Sequence, residues 1–128
     1  DKYDVMNDNY KRILDQYMHS SQNHNYEDVF INLFNMSKEL HYLKNAFDYT
    51  GINSLGDFIY QYSYNTVIWM CKRKNIQFED KDLLLLDVFC GGASIMYQHY
   101  ILGKFDLSPQ QAGKTLYQMF PDVFKISW

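Results

Sequence analysis

Cysteine, proline and glycine are all scarce in this chain of 128 residues, numbering two, two and six. Cys71 and Cys90 form neither a CxxC pair nor a disulfide framework, which points to a reducing, cytoplasmic setting. So few prolines and glycines do not supply the turns that an all-β chain needs. Long apolar runs are missing too. The longest, Leu83 to Tyr97, is interrupted by Asp87, Gly91, Gly92 and Ser94 and is too short to span a bilayer. Asp1-Lys2-Tyr3-Asp4 does not open a secretory signal, which would carry an apolar core. An excess of positive charge is also lacking. Twelve Lys and Arg stand against 15 Asp and Glu, a net charge of −3. That is the wrong sign for a domain that grips nucleic acid by neutralising phosphates. The single basic run, Lys72-Arg73-Lys74, falls where a helix is expected to end, and cations there complement the helix dipole.

Aromatic residues are abundant: 12 Tyr, 9 Phe and 2 Trp, or 18%. Tyrosine buries a large apolar body and keeps a polar tip, so this enrichment fits a cavity or interface as well as an aromatic core. Hydrophobic residues make up 47% and charged residues 21%, ordinary for a globular chain, which excludes disorder as the default. The length suits one domain, residues 1–128.

Helical spacing recurs almost throughout. Tyr3, Met6, Tyr10, Ile13 and Tyr17 step by threes and fours, predicting an amphipathic helix over 1–20. It starts without a cap or initiator Met, as a helix continuing from a longer protein would. Asn25 is a cap for a second helix with Val29, Phe30, Leu33, Phe34 and Ser37 on one face. A short third helix is predicted over 39–49, closed by Gly51. A fourth starts at Asn53 or Ser54 and runs to about Asn75. A fifth spans about 81–103, capped by Asp80 and ended by Gly103. Leu83-Leu84-Leu85-Leu86 makes it apolar all round at its start. Gly91 and Gly92 each cost about 1 kcal/mol against alanine in mid-helix, so close approach by a helix or ligand is expected there. Ser108-Pro109-Gln110-Gln111 is a capping box with proline at the first helical position. The sixth helix runs to about Phe120, with Ala112, Leu116, Met119 and Phe120 inward, and Pro121 stops it. The fold class is all-α, a single-domain bundle of about six helices.

Positive signs of catalysis are lacking. His19 and His24 are five apart, and no HExxH or ExxH pair brings ligands onto one helix face, so neither a metal nor a cofactor is expected. His41 and His99 are the candidates for an enzyme or carrier role. Most carboxylates fall near helix starts, where capping and the dipole explain them. Asp87 lies inside a greasy helix and is expected to face solvent. Phe30, Phe34, Tyr60, Tyr64, Trp69, Phe89 and Met96 could line an apolar pocket between helices, in which tyrosine hydroxyls would orient an apolar or aromatic effector. A packed core is the other reading of the same set.

The C-terminal third resembles a known family. Tyr97-Gln98-His99-Tyr100-Ile101-Leu102-Gly103 followed by Ser108-Pro109-Gln110-Gln111-Ala112 is similar to the end of TetR-family regulators, and Phe89-Cys90-Gly91-Gly92-Ala93 to the small-residue stretch before it. The likeness is strongest to the subgroup that includes regulators of dihydroxyacetone kinase operons. Tyr100 stands where the family usually has Trp, and Gln110-Gln111 where it has an acidic pair. The resemblance implies an effector-binding and dimerisation domain, not an enzyme, whose DNA contacts belong to an N-terminal helix-turn-helix absent from this sequence. It implies a homodimer in which the last two helices of each copy form a four-helix seam. Ala93, Tyr97, Tyr100, Ile101, Leu116 and Phe120 are the expected seam residues. Phe30, Phe34, Tyr60, Tyr64, Phe89 and Met96 are the expected ligand contacts. The alternative is a coactivator-like dimer that contacts a protein partner without an effector, which a pocket filled by its own side chains would favour.

Overall fold

Local chemistry sets the helix ends. The computed structural model describes residues 8, 11–16, 22–41 and 49–128, with backbone alone for 39–41 and 49–55. Five α-helical segments occur among them: α1 (residues 11–16), α2 (Tyr26–His41), α3 (Tyr49–Arg73), α4 (Asp80–Ile101) and α5 (Pro109–Met119). A 3-10 turn, Asp122–Phe124, follows. The fold is all-α, and the sole β pairing among the described residues is one bridge, Asn25 to Ser127.

At the start of α2, the Asn25 side chain accepts the Asp28 N–H at 3.0 Å, and the Asp28 carboxylate accepts the His24 N–H at 2.9 Å. α3 begins at Tyr49, ahead of the expected Asn53, and runs through Gly51 without stopping; glycine is costly in a helix but does not forbid one. Asn75 ends α3 in the left-handed conformation at φ 56°, with the Ile76 N–H reaching back to the Cys71 carbonyl at 2.9 Å. The cap of α4 is Glu79, one residue before the expected Asp80, and its N–H donates to Asp82 at 2.8 Å. Gly103 (φ 83°) closes α4, with the Lys104 N–H on the His99 carbonyl at 3.0 Å. The capping box of α5 is formed in both directions: Ser108 Oγ accepts the Gln111 N–H at 3.1 Å and the Ser108 N–H donates to Gln111 Oε1 at 3.0 Å. The predicted third helix falls mainly on 42–48, outside the described residues, as do Tyr3, Met6, Tyr10 and Tyr17 of the first.

α2 packs chiefly on α5, and α3 on α4. The α2–α5 contact is close because Gly113 has no side chain: a Cβ there would lie 2.6 Å from the Ile31 Cα and N. The expected close approach at Gly91-Gly92 is not where the chain makes it. Among the described residues a Cβ at Gly91 would meet only the Tyr60 ring, at 4.0 Å, and a Cβ at Gly92 would meet no other element within 4 Å.

Two aromatic clusters fill the interior. One joins Leu14 of α1, Phe34 and Met36 of α2, Ile59 of α3, Tyr97 and Ile101 of α4 and Ala112 of α5. The other joins Tyr26, Val29 and Phe30 to Val67, Cys71, Leu86, Cys90, Phe120 and Phe124. The last residues strap across this second cluster: Phe124 is fully buried, and the Trp128 N–H donates to the His24 carbonyl at 3.1 Å.

Two buried tyrosine hydroxyls differ in kind. Tyr97 donates to the Leu33 carbonyl at 2.7 Å, which ties α4 to α2. The Tyr26 hydroxyl is buried with no hydrogen-bond partner among the described residues. Burial first, then the nearby Cys71 and Cys90, push its pKa well above the usual phenol value. Tyr97→Phe is therefore expected to lower stability by about 1–2 kcal/mol, whereas Tyr26→Phe is neutral or stabilising by up to about 1 kcal/mol. Urea unfolding of the two variants beside the parent chain checks the opposite signs.

Candidate functional site

The expected ligand contacts divide between the two clusters instead of meeting around one pocket. Phe30 and Phe89 border an internal cavity of about 40 Å³, together with Ala93 and Tyr26. That volume is room for a water-sized occupant, far below the 300–1,000 Å³ or so of ordinary ligand pockets. Phe34, Tyr60, Tyr64 and Met96 are not part of its wall. Phe34 is fully buried in the first cluster, 4.7 Å from the Tyr100 ring and 5.7 Å from the Tyr97 ring between centroids. Met96 packs at the edge of that cluster. Tyr60 and Tyr64 stack on each other at 6.4 Å on α3. The Tyr60 hydroxyl donates to Asp87, whose carboxylate is exposed as expected. That hydrogen bond, ahead of burial, pushes the Tyr60 pKa up to about 12. The aromatic set is mostly core: ring–ring packing satisfies it without a guest.

The expected seam residues are also turned inward. Tyr97, Ile101 and Phe120 are 3% exposed or less. Ala93 borders the inner cavity, and Leu116 packs against both clusters. The Tyr100 ring lies on Phe34, and its hydroxyl donates to the Leu107 carbonyl at 2.7 Å. The reason is phase. α4 buries Leu86, Cys90, Ser94, Tyr97 and Ile101, one stripe of a 3.6-residue helix. The face left outside carries Leu84, Leu85, Val88 and Ile95, between 54% and 67% exposed, with Gly92 among them. Residues 85, 88, 92 and 95 step by three, four and three, which is coiled-coil spacing. Met119, expected to point inward on α5, is 73% exposed. Periodicity did not say which stripe of this helix is buried, because Leu83 to Leu86 are apolar all round.

A third region was not anticipated. An open groove of about 1040 Å³ runs along α3. Phe58, Tyr62, Trp69, Met70 and Arg73 share the helical face that forms its floor, and Trp128 and α1 border it. Arg73 lies over the half-exposed Trp69 ring at 5.2 Å. Asp15 of α1 accepts the Tyr62 hydroxyl and pairs with Lys11 at 3.8 Å. Burial first, then that hydrogen bond, raise the Tyr62 pKa well above the phenol range. The signal available in the sequence was Trp69 one helical turn before Arg73.

Both thiols are buried. Burial first, then the Asp87 charge, push the Cys90 pKa up to about 12, and burial raises that of Cys71. Their stabilising contribution is full below the unfolded thiol value near 9.0 and is lost as pH rises through the folded values. Neither is expected to react with iodoacetamide at mildly alkaline pH until the chain is unfolded. Mass spectrometry of native and urea-treated samples reads this out.

Among the described residues no group of His, Cys, Asp or Glu could hold a metal ion, and no helix is long and apolar enough to cross a membrane. His24 is exposed and His99 half-buried; His19 and the His41 side chain lie outside the described residues. No protein-family model, curated protein or solved structure matches this chain.

Proposed function

We propose that the chain is the dimerising regulatory domain of a TetR-like transcriptional regulator, with DNA contact made by a separate helix-turn-helix domain. The carrying observation is the outer face of α4. Leu84, Leu85, Val88 and Ile95 form an apolar stripe on a helix whose opposite face is already buried. A helix apolar on both sides calls for a second partner, and a contiguous exposed apolar patch marks an association surface. A second copy is the simplest occupant. Two α4 helices related by a two-fold axis bury the same stripe twice, and Gly92 lets the backbones approach. The seam uses α4, one of the two helices that the family resemblance implies, through different residues. Regulation follows if dimer geometry sets the placement of the two DNA-reading domains.

The filled interior favours a second reading, a coactivator-like dimer with no small effector, because a cavity of about 40 Å³ holds no ordinary ligand. Both readings need self-association. Sedimentation equilibrium of the full chain is expected to give a dimer at micromolar concentration, and a monomer there overturns both.

A further inference from the structure

We infer that the groove along α3 binds an anionic amphiphile, a small molecule with an acidic head and an elongated apolar or aromatic body. The groove's floor spans Phe58 to Arg73 on one helix face, 15 helical steps and so about 22 Å of helix axis. Its apolar and aromatic part, from Phe58 to Trp69 and Met70, offers an elongated surface to a body lying along the helix. Its charge is at one end. Arg73 and Lys74 border the groove at the C-terminal end of α3, and both are exposed. The helix dipole supplies only about half a unit of negative charge there, which two cations exceed. On the α1 side Lys11 and Asp15 pair with each other. Among the described residues the side chains of the groove's wall, Lys11, Arg73 and Lys74 against Asp15, sum to a formal +2, in a chain whose net charge is −3. The chain's single basic run thus serves more than the end of a helix: two of its three members face a hollow floored by rings. Arg73, already stacked on Trp69, is held where its guanidinium can meet an acidic head while the indole meets the body.

This inference deepens the regulator reading by naming an effector class and its site. It rests on that reading for its consequence at DNA and not for the binding itself. The volume, about 1040 Å³, is ample for such a ligand, in contrast to the inner cavity.

Both tryptophans of the chain, Trp69 and Trp128, border the groove, so intrinsic emission reports its occupancy directly. The full chain is titrated with dodecanoate below its micelle concentration. The same titration is run with dodecanol, with dodecyltrimethylammonium, and with the double variant Arg73→Gln, Lys74→Gln. The inference expects a saturable emission change with dodecanoate. It also expects about tenfold weaker binding by the neutral alcohol and by the double variant, and weaker binding still by the cation, the scale of losing two exposed charge contacts. No saturable change overturns it. Equal binding of the three head groups, or undiminished binding by a variant whose circular dichroism is unchanged, also overturns it. Should the variant fail to fold, the head-group comparison on the parent chain decides alone. Sedimentation of the same samples separates the two ideas. A dimer that binds nothing removes the groove and leaves the regulator, and a monomer that binds removes the regulator and leaves the groove.

Discussion

Val88→Glu is expected to turn a dimer into a monomer while leaving the subunit folded. Val88 is 67% exposed on the outer face of α4, so within one subunit the substitution removes almost no packing. Exposed substitutions of this kind usually change stability by less than about 0.5 kcal/mol. In a two-fold seam each copy would bury one unpaired carboxylate among Leu84, Leu85 and Ile95. Leaving an ion unpaired in an apolar contact costs several kcal/mol at full burial. Even a partial cost of about 1.5 kcal/mol per copy is felt twice, so Kd rises by at least about 100-fold. Sedimentation equilibrium of parent and variant measures this, with thermal unfolding as the control on the subunit. Tyr97→Phe is the contrast: Tyr97 lies in the monomer core, so stability should fall and Kd should not follow. Unchanged dimerisation of Val88→Glu would place the association surface elsewhere.

Gly113→Ala is expected to be the most damaging single-methyl addition to the subunit. The added Cβ would meet the Ile31 backbone at 2.6 Å, a distance that real Cβ atoms essentially never show. Neither partner can rotate away, because the opposing atoms include the Cα and N of α2. The helices must part, and with them the first aromatic cluster, where Phe34 and Met36 of α2 meet Ala112 of α5. Overpacking a tight core costs up to about 3 kcal/mol, and alanine's better helix propensity returns about 1. The net loss of about 2 kcal/mol corresponds to a drop of roughly 8 °C in Tm for a chain of this size. Gly56 makes the opposite case. The atoms that a Cβ would meet there belong to the end of the Gln98 side chain, which can swing aside. Gly56→Ala should therefore cost far less, and calorimetry of the pair tests whether backbone contact is what makes Gly113 special.

These two substitutions mark where sequence reading stops. Helix ends were legible because they depend on neighbours in the chain. Ser108 with Gln111, Asn25 with Asp28, and Gly103 after α4 each satisfy backbone groups within a few residues. All-α class and helix type followed from spacing for the same reason. Even the solvent position of Asp87 was open to a local argument, since a carboxylate avoids an apolar interior.

Partners across the fold were not legible. α4 is apolar around much of its circumference, and periodicity cannot say which stripe the subunit buries and which it leaves exposed. Only the packing of α3 and α2 against it decides that Tyr97 and Ile101 go inside while Val88 and Ile95 stay out. The same holds for the aromatics. Composition announces many rings, but whether Phe30, Phe34 and Phe89 enclose a ligand or fill the space themselves depends on how closely the helices approach. That distance is set at Gly113 against Ile31, a pair 82 positions apart in sequence. Short-range hydrogen bonding and periodicity are written into consecutive residues, so the sequence alone determines that this chain is a set of capped helices. Depth, groove and outward face arise from contacts between distant segments, and only the tertiary structure decides them.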